Sequence, residues 1–338
     1  MEWMNKVMNM VAPPATFVTL FLFLPPFLLF KLFLSFLSSF FPENMSGKVV
    51  LITGASSAIG EQLAYQYAAR GASLALVAKR EDRLHEVADT AREVGAPDIL
   101  VVPADVIRAD ECQRFMEITM NHFGRIDHLV NNAGIASLCM FEEILDITNF
   151  APVMDVNFWG SVYPTFFALP HLKRSRGRIV VIASAAGWLP MPRMSFYNAS
   201  KAALINFYET LRLEFGQEIG ITIVTPGWID SERFLSKEGE VRAETEIEGT
   251  YTVGNTEAYA RAVVDGACRG ERCVTEPSWF RVMHLYRVFA PEVLDWCYRV
   301  LYVTKPGSDD LSKRILDAAG AKEYLCPASM QSPPLKSE

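Results

Sequence analysis

From Lys48 onward, short runs of Val, Ile and Leu alternate with amphipathic stretches of ten or more residues, and this alternation restricts the fold more than any other feature. A strand, a helix and a second strand in series form the βαβ unit, which sets its two strands parallel in one sheet. The runs 48–53, 73–78, 98–103, 128–131, 178–184, 221–225 and 272–275 read as seven strands, predicting an α/β fold with a single doubly wound Rossmann-type parallel sheet. Ligands of such sheets lie beyond the carboxyl ends of the strands. The chemistry is therefore expected in the loops that follow them.

Half of the 338 residues are hydrophobic and 21% are charged, which supplies apolar surface for a large core and excludes a disordered chain. A net charge of −7 lacks the basic footprint that holds a phosphate backbone, so no nucleic-acid partner is expected. Cys112, Cys139, Cys268, Cys273, Cys297 and Cys326 form no C-x-x-C pair and no cluster with His. That pattern predicts reduced thiols in a cytosol-facing protein, with neither a disulfide framework nor a metal.

Residues 1–44 stand apart as a hydrophobic anchor. From Val7 to Phe30 no residue is charged, Lys31 interrupts, and the apolar run resumes to Phe41. A cleaved signal would want a basic start and a small-residue cleavage site, whereas this segment starts with Glu2 and Lys6 and stays bulky. Pro13-Pro14 and Pro25-Pro26 divide it. The arm 15–24 rises about 15 Å as helix, half of a hydrocarbon core of roughly 30 Å. Two short arms about a Pro-Pro turn predict a hairpin lodged in one leaflet; a kinked single span is the alternative.

The first strand ends in Thr53-Gly54-Ala55-Ser56-Ser57-Ala58-Ile59-Gly60, ahead of a helix expected from near Glu61. Small residues let a backbone approach a pyrophosphate, and a helix N-terminus offers free N–H groups and a positive dipole end. After the second strand stand Lys79 and Arg80, where a carboxylate would suit the ribose 2′-hydroxyl of NAD(H). Two cations suit a 2′-phosphate instead, so NADP(H) is preferred and NAD(H) stays open. Ser184 ends the fifth strand, and Tyr197 and Lys201 share a helix face at i, i+4. A neighbouring ammonium favours phenolate, which makes a phenol a usable acid or base near neutral pH.

Taken together with Asp105, Asn131-Asn132-Ala133-Gly134, Asn157 and 226–231 in this order, these motifs resemble the short-chain dehydrogenase/reductase family. The resemblance implies Tyr197 as proton donor or acceptor to the substrate oxygen, Ser184 orienting that oxygen, Lys201 holding the nicotinamide ribose, and Asn157 supporting a water relay. It implies Gly54, Ser56, Ser57, Ala58, Ile59 and Gly60 around the pyrophosphate and Asp105 and Val106 at the adenine. Asn132 and Gly134 would face the dinucleotide, and Pro226, Ile229 and Ser231 the nicotinamide. Ala58 departs from the family, which commonly has a second glycine there; the methyl is harmless only if the backbone φ is negative.

The Pro-Pro anchor, Asn157-Phe158-Trp159-Gly160, the stretch from Trp188 to Tyr197 and Val274-Thr275-Glu276-Pro277-Ser278-Trp279 resemble the plant steroleosins, hydroxysteroid dehydrogenases of oil bodies similar to the animal 11-beta-hydroxysteroid dehydrogenases. This implies a catalytic domain over 45–305 that interconverts a sterol-type hydroxyl and ketone. It also implies a place on a lipid droplet or endoplasmic reticulum membrane with the catalytic domain facing the cytosol. Leu138, Met140, Phe141, Trp188, Leu189, Met191 and Trp228 are expected to border a lipophilic cleft. The charged stretch within 231–255 reads either as a solvated acidic helix or loop or, by its place in the family, as a substrate lid; 277–303 is expected to be an interfacial or dimer segment and 306–338 a C-terminal extension. Helices from Asp155 and Ser195 are expected to pair subunits in a homodimer. Two other functions stay open: a noncatalytic lipid-droplet coat or sterol-binding protein, and a reductase of fatty acyl or retinoid carbonyls.

Overall fold

The computed structural model describes residues 1–137, 139–227, 234–235, 241–242 and 256–299. The chain divides into two compact units, Met1–Glu43 and Asn44–Glu338.

The first unit is one helix, α1 (Glu2–Phe40), with Pro13, Pro14, Pro25 and Pro26 inside it. The expected hairpin is therefore corrected to a continuous helix. A proline removes one i→i−4 bond and crowds one carbonyl, a local cost that kinks a helix without obliging it to turn back. Leu and Phe between the two pairs carry the helix through, and the Thr19 hydroxyl donates to the Ala15 carbonyl at 2.7 Å beside the first pair. Glu2–Leu34 is long and apolar enough to cross a membrane.

The second unit alternates as the periodicity predicts. In chain order it runs β1 (Val49–Thr53), α2 (Ala58–Ala68), β2 (Ser73–Ala78), α3 (Glu81–Val94), β3 (Ile99–Pro103), α4 (Ala109–Phe123), β4 (His128–Asn131) and β5 (Ala136–Ser137). There follow α5 (Ala151–Met154), a π-helical turn Asp155–Trp159, α6 (Gly160–Ser175), β6 (Arg178–Ile182) and α7 (Ser195–Phe215). The remainder is β7 (Gly220–Pro226), β8 (Phe234–Leu235), β9 (Val241–Arg242), α8 (Thr256–Cys268), β10 (Cys273–Glu276), α9 (Phe280–Phe289) and α10 (Pro291–Tyr298).

Seven strands form one parallel sheet in the order β10-β7-β6-β4-β1-β2-β3. The order reverses between β1 and β4, so the crevice beyond their carboxyl ends, at Thr53 and Asn131, is the topological switch point where such sheets bind ligands. Both faces are covered. Val50, Ile52 and Leu74 pack with Leu63, Tyr67 and Val263 on one side, and Leu51, Val77 and Leu129 with Phe115, Leu172 and Tyr208 on the other. Burial on two faces explains why these strands read as unbroken apolar runs.

Two boundaries move for reasons of capping. Ser57 accepts from the Gly60 N–H at 3.1 Å and starts α2 at Ala58, three residues before Glu61. Ser184 accepts from the Ala186 N–H at 3.2 Å and opens a 3-10 turn, Ala185–Gly187, so β6 ends at Ile182. A second, three-stranded sheet, β5-β8-β9, is an addition to the expected fold. Of the lid expected at 231–255 only β8 and β9 are described, and 300–338, with the C-terminal extension, lies outside the described residues.

Candidate active site

Gly54 turns out of β1 with φ +64, and a Cβ there would lie 2.8 Å from the Ala133 Cα. A Cβ on Gly60 would strike the Gly54 carbonyl oxygen and stand 2.8 Å from Ala55 Cα and from Asn132 Nδ2. Both positions therefore require glycine, and the space they leave is the cradle a pyrophosphate needs. Ala58 differs. It is the first residue of α2, and the non-glycine residues with positive φ are Arg176 and Arg193 among those described. Its methyl sits on ordinary helical backbone, so the departure from the family pattern leaves the cradle intact.

Asn132 holds this loop closed. Its Nδ2 donates to the Thr53 and Gly54 carbonyls at 3.1 Å each and to Ser57 Oγ at 3.2 Å, while its backbone N–H donates to Thr53 Oγ1. The side chain shapes the turn that forms the cradle. Ile59, in the first turn of α2, is buried. Ser56 presents its carbonyl and hydroxyl to Arg80, whose Nη2 donates to the Ser56 oxygen at 2.5 Å and Nε to Oγ at 3.4 Å. Lys79 turns away and pairs with Asp105 at 2.7 Å. The structure thus separates the basic pair: Arg80 lies against the glycine turn, and Lys79 spends part of its charge on the neighbouring carboxylate. Val106 is buried, its side chain occupying the space left by the missing Cβ of Gly160.

The remaining machinery meets at Gly134, where an added Cβ would lie 3.3 Å from Asn157 Oδ1 and 3.4 Å from Lys201 Nζ. Asn157 sits in the π-helical turn, a local widening that frequently marks functional positions. Its Nδ2 donates to the Ile135 carbonyl and Ser200 Oγ at 2.9 Å, and its Oδ1 accepts from the Ile135 N–H at 2.8 Å. It thereby ties the loop after β4 to α7. Lys201, 3% exposed, donates to the Ile182 carbonyl at 3.0 Å and stands 5.5 Å from the centre of the Tyr197 ring. Tyr197 and Ser184 line an open cleft with Ala185, Ala186, Leu189, Met191, Met194, Pro226, Gly227 and Phe280. Ser184 Oγ also donates to the Pro226 carbonyl at 3.5 Å.

Two titrations separate this site from its surroundings. Burial pushes the Tyr208 phenol, about three turns further along α7, well above the ordinary range, and it is locked to Thr165 and Asn131 away from the cleft. Burial likewise pushes the Cys112 thiol up to about 12. Neither group is poised to exchange protons near neutrality.

The cleft corrects part of the expected lining. Leu189 and Met191 face it, but Trp188 packs edge-on against His284 at 5.1 Å and Phe141 lies tilted against Phe196. Leu138 and Trp228, and the nicotinamide contacts Ile229 and Ser231, lie outside the described residues. Phe280 was not foreseen, because nothing near it in the sequence signals a partner as distant as Gly227.

The short chain dehydrogenase profile matches residues 48–240, more than half of the chain. The chain belongs to the short-chain dehydrogenase family. It is 53% identical to 11-beta-hydroxysteroid dehydrogenase A of Arachis hypogaea and 52% identical to 11-beta-hydroxysteroid dehydrogenase 1A of Arabidopsis thaliana, each match covering 100% of both chains. Among solved structures it is similar to an alcohol dehydrogenase from Thermococcus sibiricus complexed with 5-hydroxy-NADP, with TM-score 0.58, 26% identity and coverage of 68% of this chain and 94% of that one. A short-chain dehydrogenase/reductase from Burkholderia phymatum in complex with NAD gives TM-score 0.61 and 25% identity, covering 74% and 96%. This short-chain dehydrogenase is accordingly an oxidoreductase similar throughout its length to proteins named as hydroxysteroid dehydrogenases.

Proposed function

We propose that this short-chain dehydrogenase interconverts a hydroxyl and a ketone on a sterol-type substrate, using NADP(H), at the surface of a lipid droplet or endoplasmic reticulum membrane. The observation that carries the reading is the cleft itself. Tyr197 and Ser184 supply hydroxyls beyond the carboxyl ends of β6 and β7, and the rest of the lining is apolar.

The residues present fit a nicotinamide dinucleotide, because Gly54 and Gly60 leave a cradle at the N-terminus of α2 and Gly134 leaves room beside Lys201 and Asn157. When bound, that cofactor gives or takes the hydride. Tyr197 moves the proton at the substrate oxygen, and Ser184 Oγ fixes that oxygen by hydrogen bonding. The Lys201 ammonium, beside the Tyr197 ring, favours phenolate and thus eases proton loss when a hydroxyl is oxidised. Asn157 holds the loop after β4 against α7, which fixes where Lys201 and Tyr197 stand. Arg80, placed over Ser56, would hold the 2′-phosphate that separates NADP from NAD, with Lys79 contributing less because Asp105 already engages it.

The length and apolar character of α1 support anchoring to a lipid phase, with the catalytic unit on the cytosolic side. The exposed Val282, Leu285, Val288 and Phe289 of α9 and Val293 and Trp296 of α10 support an interfacial role for that segment. Exposed Trp159, Phe166 and Leu213 support homodimer formation through α6 and α7, which sedimentation of the detergent-solubilised chain would test. The full-length chain, assayed with steroid alcohols and ketones, should turn over with NADP(H) in preference to NAD(H). Sterol binding without dinucleotide binding would instead make it a binding or coat protein, and turnover confined to acyl or retinoid carbonyls would change the substrate class.

A further inference from the structure

Phe280 opens α9, beyond the residues that the family profile matches, yet it lines the same cleft as Ser184 and Tyr197. Its ring lies on the backbone of Gly227. A Cβ built on that glycine would run into the ring, and its three nearest atoms all belong to Phe280. Gly227 has no positive φ, so the backbone itself does not require glycine there. The missing side chain is the seat of the ring.

The seat is braced from several directions. The Gly227 N–H donates to the Glu276 carbonyl at 2.9 Å, which keeps the ends of β7 and β10 in register. Further along α9, Arg287 donates to the Trp188 carbonyl and His284 meets the Trp188 ring edge-on. Trp279 lies against Phe280 with ring centres 4.3 Å apart. The other large apolar side chains of the cleft, Leu189, Met191 and Met194, come from the loop before α7, and two of them are flexible thioethers.

We infer that Phe280, seated on Gly227, is the specificity-determining wall of the cleft and selects a rigid fused-ring substrate over a flexible chain. A braced aromatic face offers a flat surface at no further entropic cost. A fused-ring ligand meets it without freezing rotors, whereas a chain must be ordered to make the same contact. The methionines adapt to the ligand's remaining contour. The inference deepens the steroid reading above and rests on it.

The test compares kcat/KM for a four-ring steroid ketone and for a straight-chain ketone such as 2-decanone, using the full chain in detergent micelles with its preferred dinucleotide. Phe280→Ala should lower the steroid-to-chain ratio by about tenfold or more, chiefly through KM, as loss of a shaped apolar wall does. Phe280→Leu should fall between. Gly227→Ala should lower the ratio about fivefold in the parent but less than about twofold in the Phe280→Ala background, where the ring it displaces is gone. Dinucleotide affinity reports folding in each variant; if Phe280→Ala loses it, Phe280→Leu carries the comparison. An unchanged ratio in Phe280→Ala, or in Phe280→Leu where that carries it, overturns the inference while leaving the steroid reading intact. Equal effects of Gly227→Ala in both backgrounds overturn it too. A parent that binds dinucleotide but turns over no steroid overturns the steroid reading and this inference with it.

Discussion

Replacing Gly60 by alanine perturbs the cradle at its tightest point. The new methyl would fall on the Gly54 carbonyl oxygen and within 2.8 Å of both Ala55 Cα and Asn132 Nδ2. Gly54 and Ala55 are backbone and cannot swing aside, so the turn must open, and opening it breaks the three donations through which Asn132 holds Thr53, Gly54 and Ser57. At about 1 kcal/mol for each such bond the loss is about 3 kcal/mol. Expressed in dinucleotide affinity, that is on the order of a hundredfold. Ala58→Gly is the paired control, since it relieves nothing and costs at most about 1 kcal/mol of helix propensity, or roughly fivefold. Fluorescence titration of the reduced dinucleotide into the two variants measures both. Gly60→Ala binding as tightly as the parent, or Ala58→Gly binding more than tenfold tighter, would refute the assignment of this turn.

Arg80→Ala should weaken NADPH by about 10- to 100-fold with little change for NADH, the worth of a charge-assisted contact to phosphate, and Lys79→Ala should do less; equal losses for both cofactors would contradict the placement over Ser56. Asn157→Ala removes two hydrogen bonds to the loop after β4 and one to α7 and should cost about 3 kcal/mol in denaturant unfolding, with a loss of under about 1 kcal/mol arguing against the tie. Cys112 has a folded pKa raised to about 12, so the folded state holds its proton more tightly. Its contribution is present at neutral pH and is lost as pH rises from the ordinary thiol range toward 12, a window of up to about 4 kcal/mol. Alkaline unfolding should therefore be less steep in Cys112→Val than in the parent, and identical slopes would contradict the burial of the thiol.

The seven strands of the main sheet lie within two residues of their expected ends, because strands buried on both faces leave apolar runs that local pattern detects. Asn157, Ser184, Tyr197 and Lys201 stand out in the sequence for a different reason, the order and spacing of their motifs, and the structure brings Ser184 and Tyr197 into one cleft with Lys201 beside the Tyr197 ring. What escaped depends on contacts between distant residues. Lys79 and Arg80 read as one basic pair until Asp105 draws Lys79 aside. The three donations by which the Asn132 amide holds the glycine turn join residues more than seventy positions apart. The strands β5, β8 and β9 are two residues long and carry no period to read. The hairpin expected of the anchor overweighted the prolines, whose effect on α1 is local.

The most direct test of the account is steroid turnover by the full chain and by Tyr197→Phe, with dinucleotide affinity measured on both. Loss of a positioned acid–base group costs about 100- to 10,000-fold. The account predicts a fall of that size in kcat while the dinucleotide still binds, since the phenyl ring keeps its place in the buried cluster with Phe150, Val153 and Met194. Full turnover without the Tyr197 hydroxyl would contradict it.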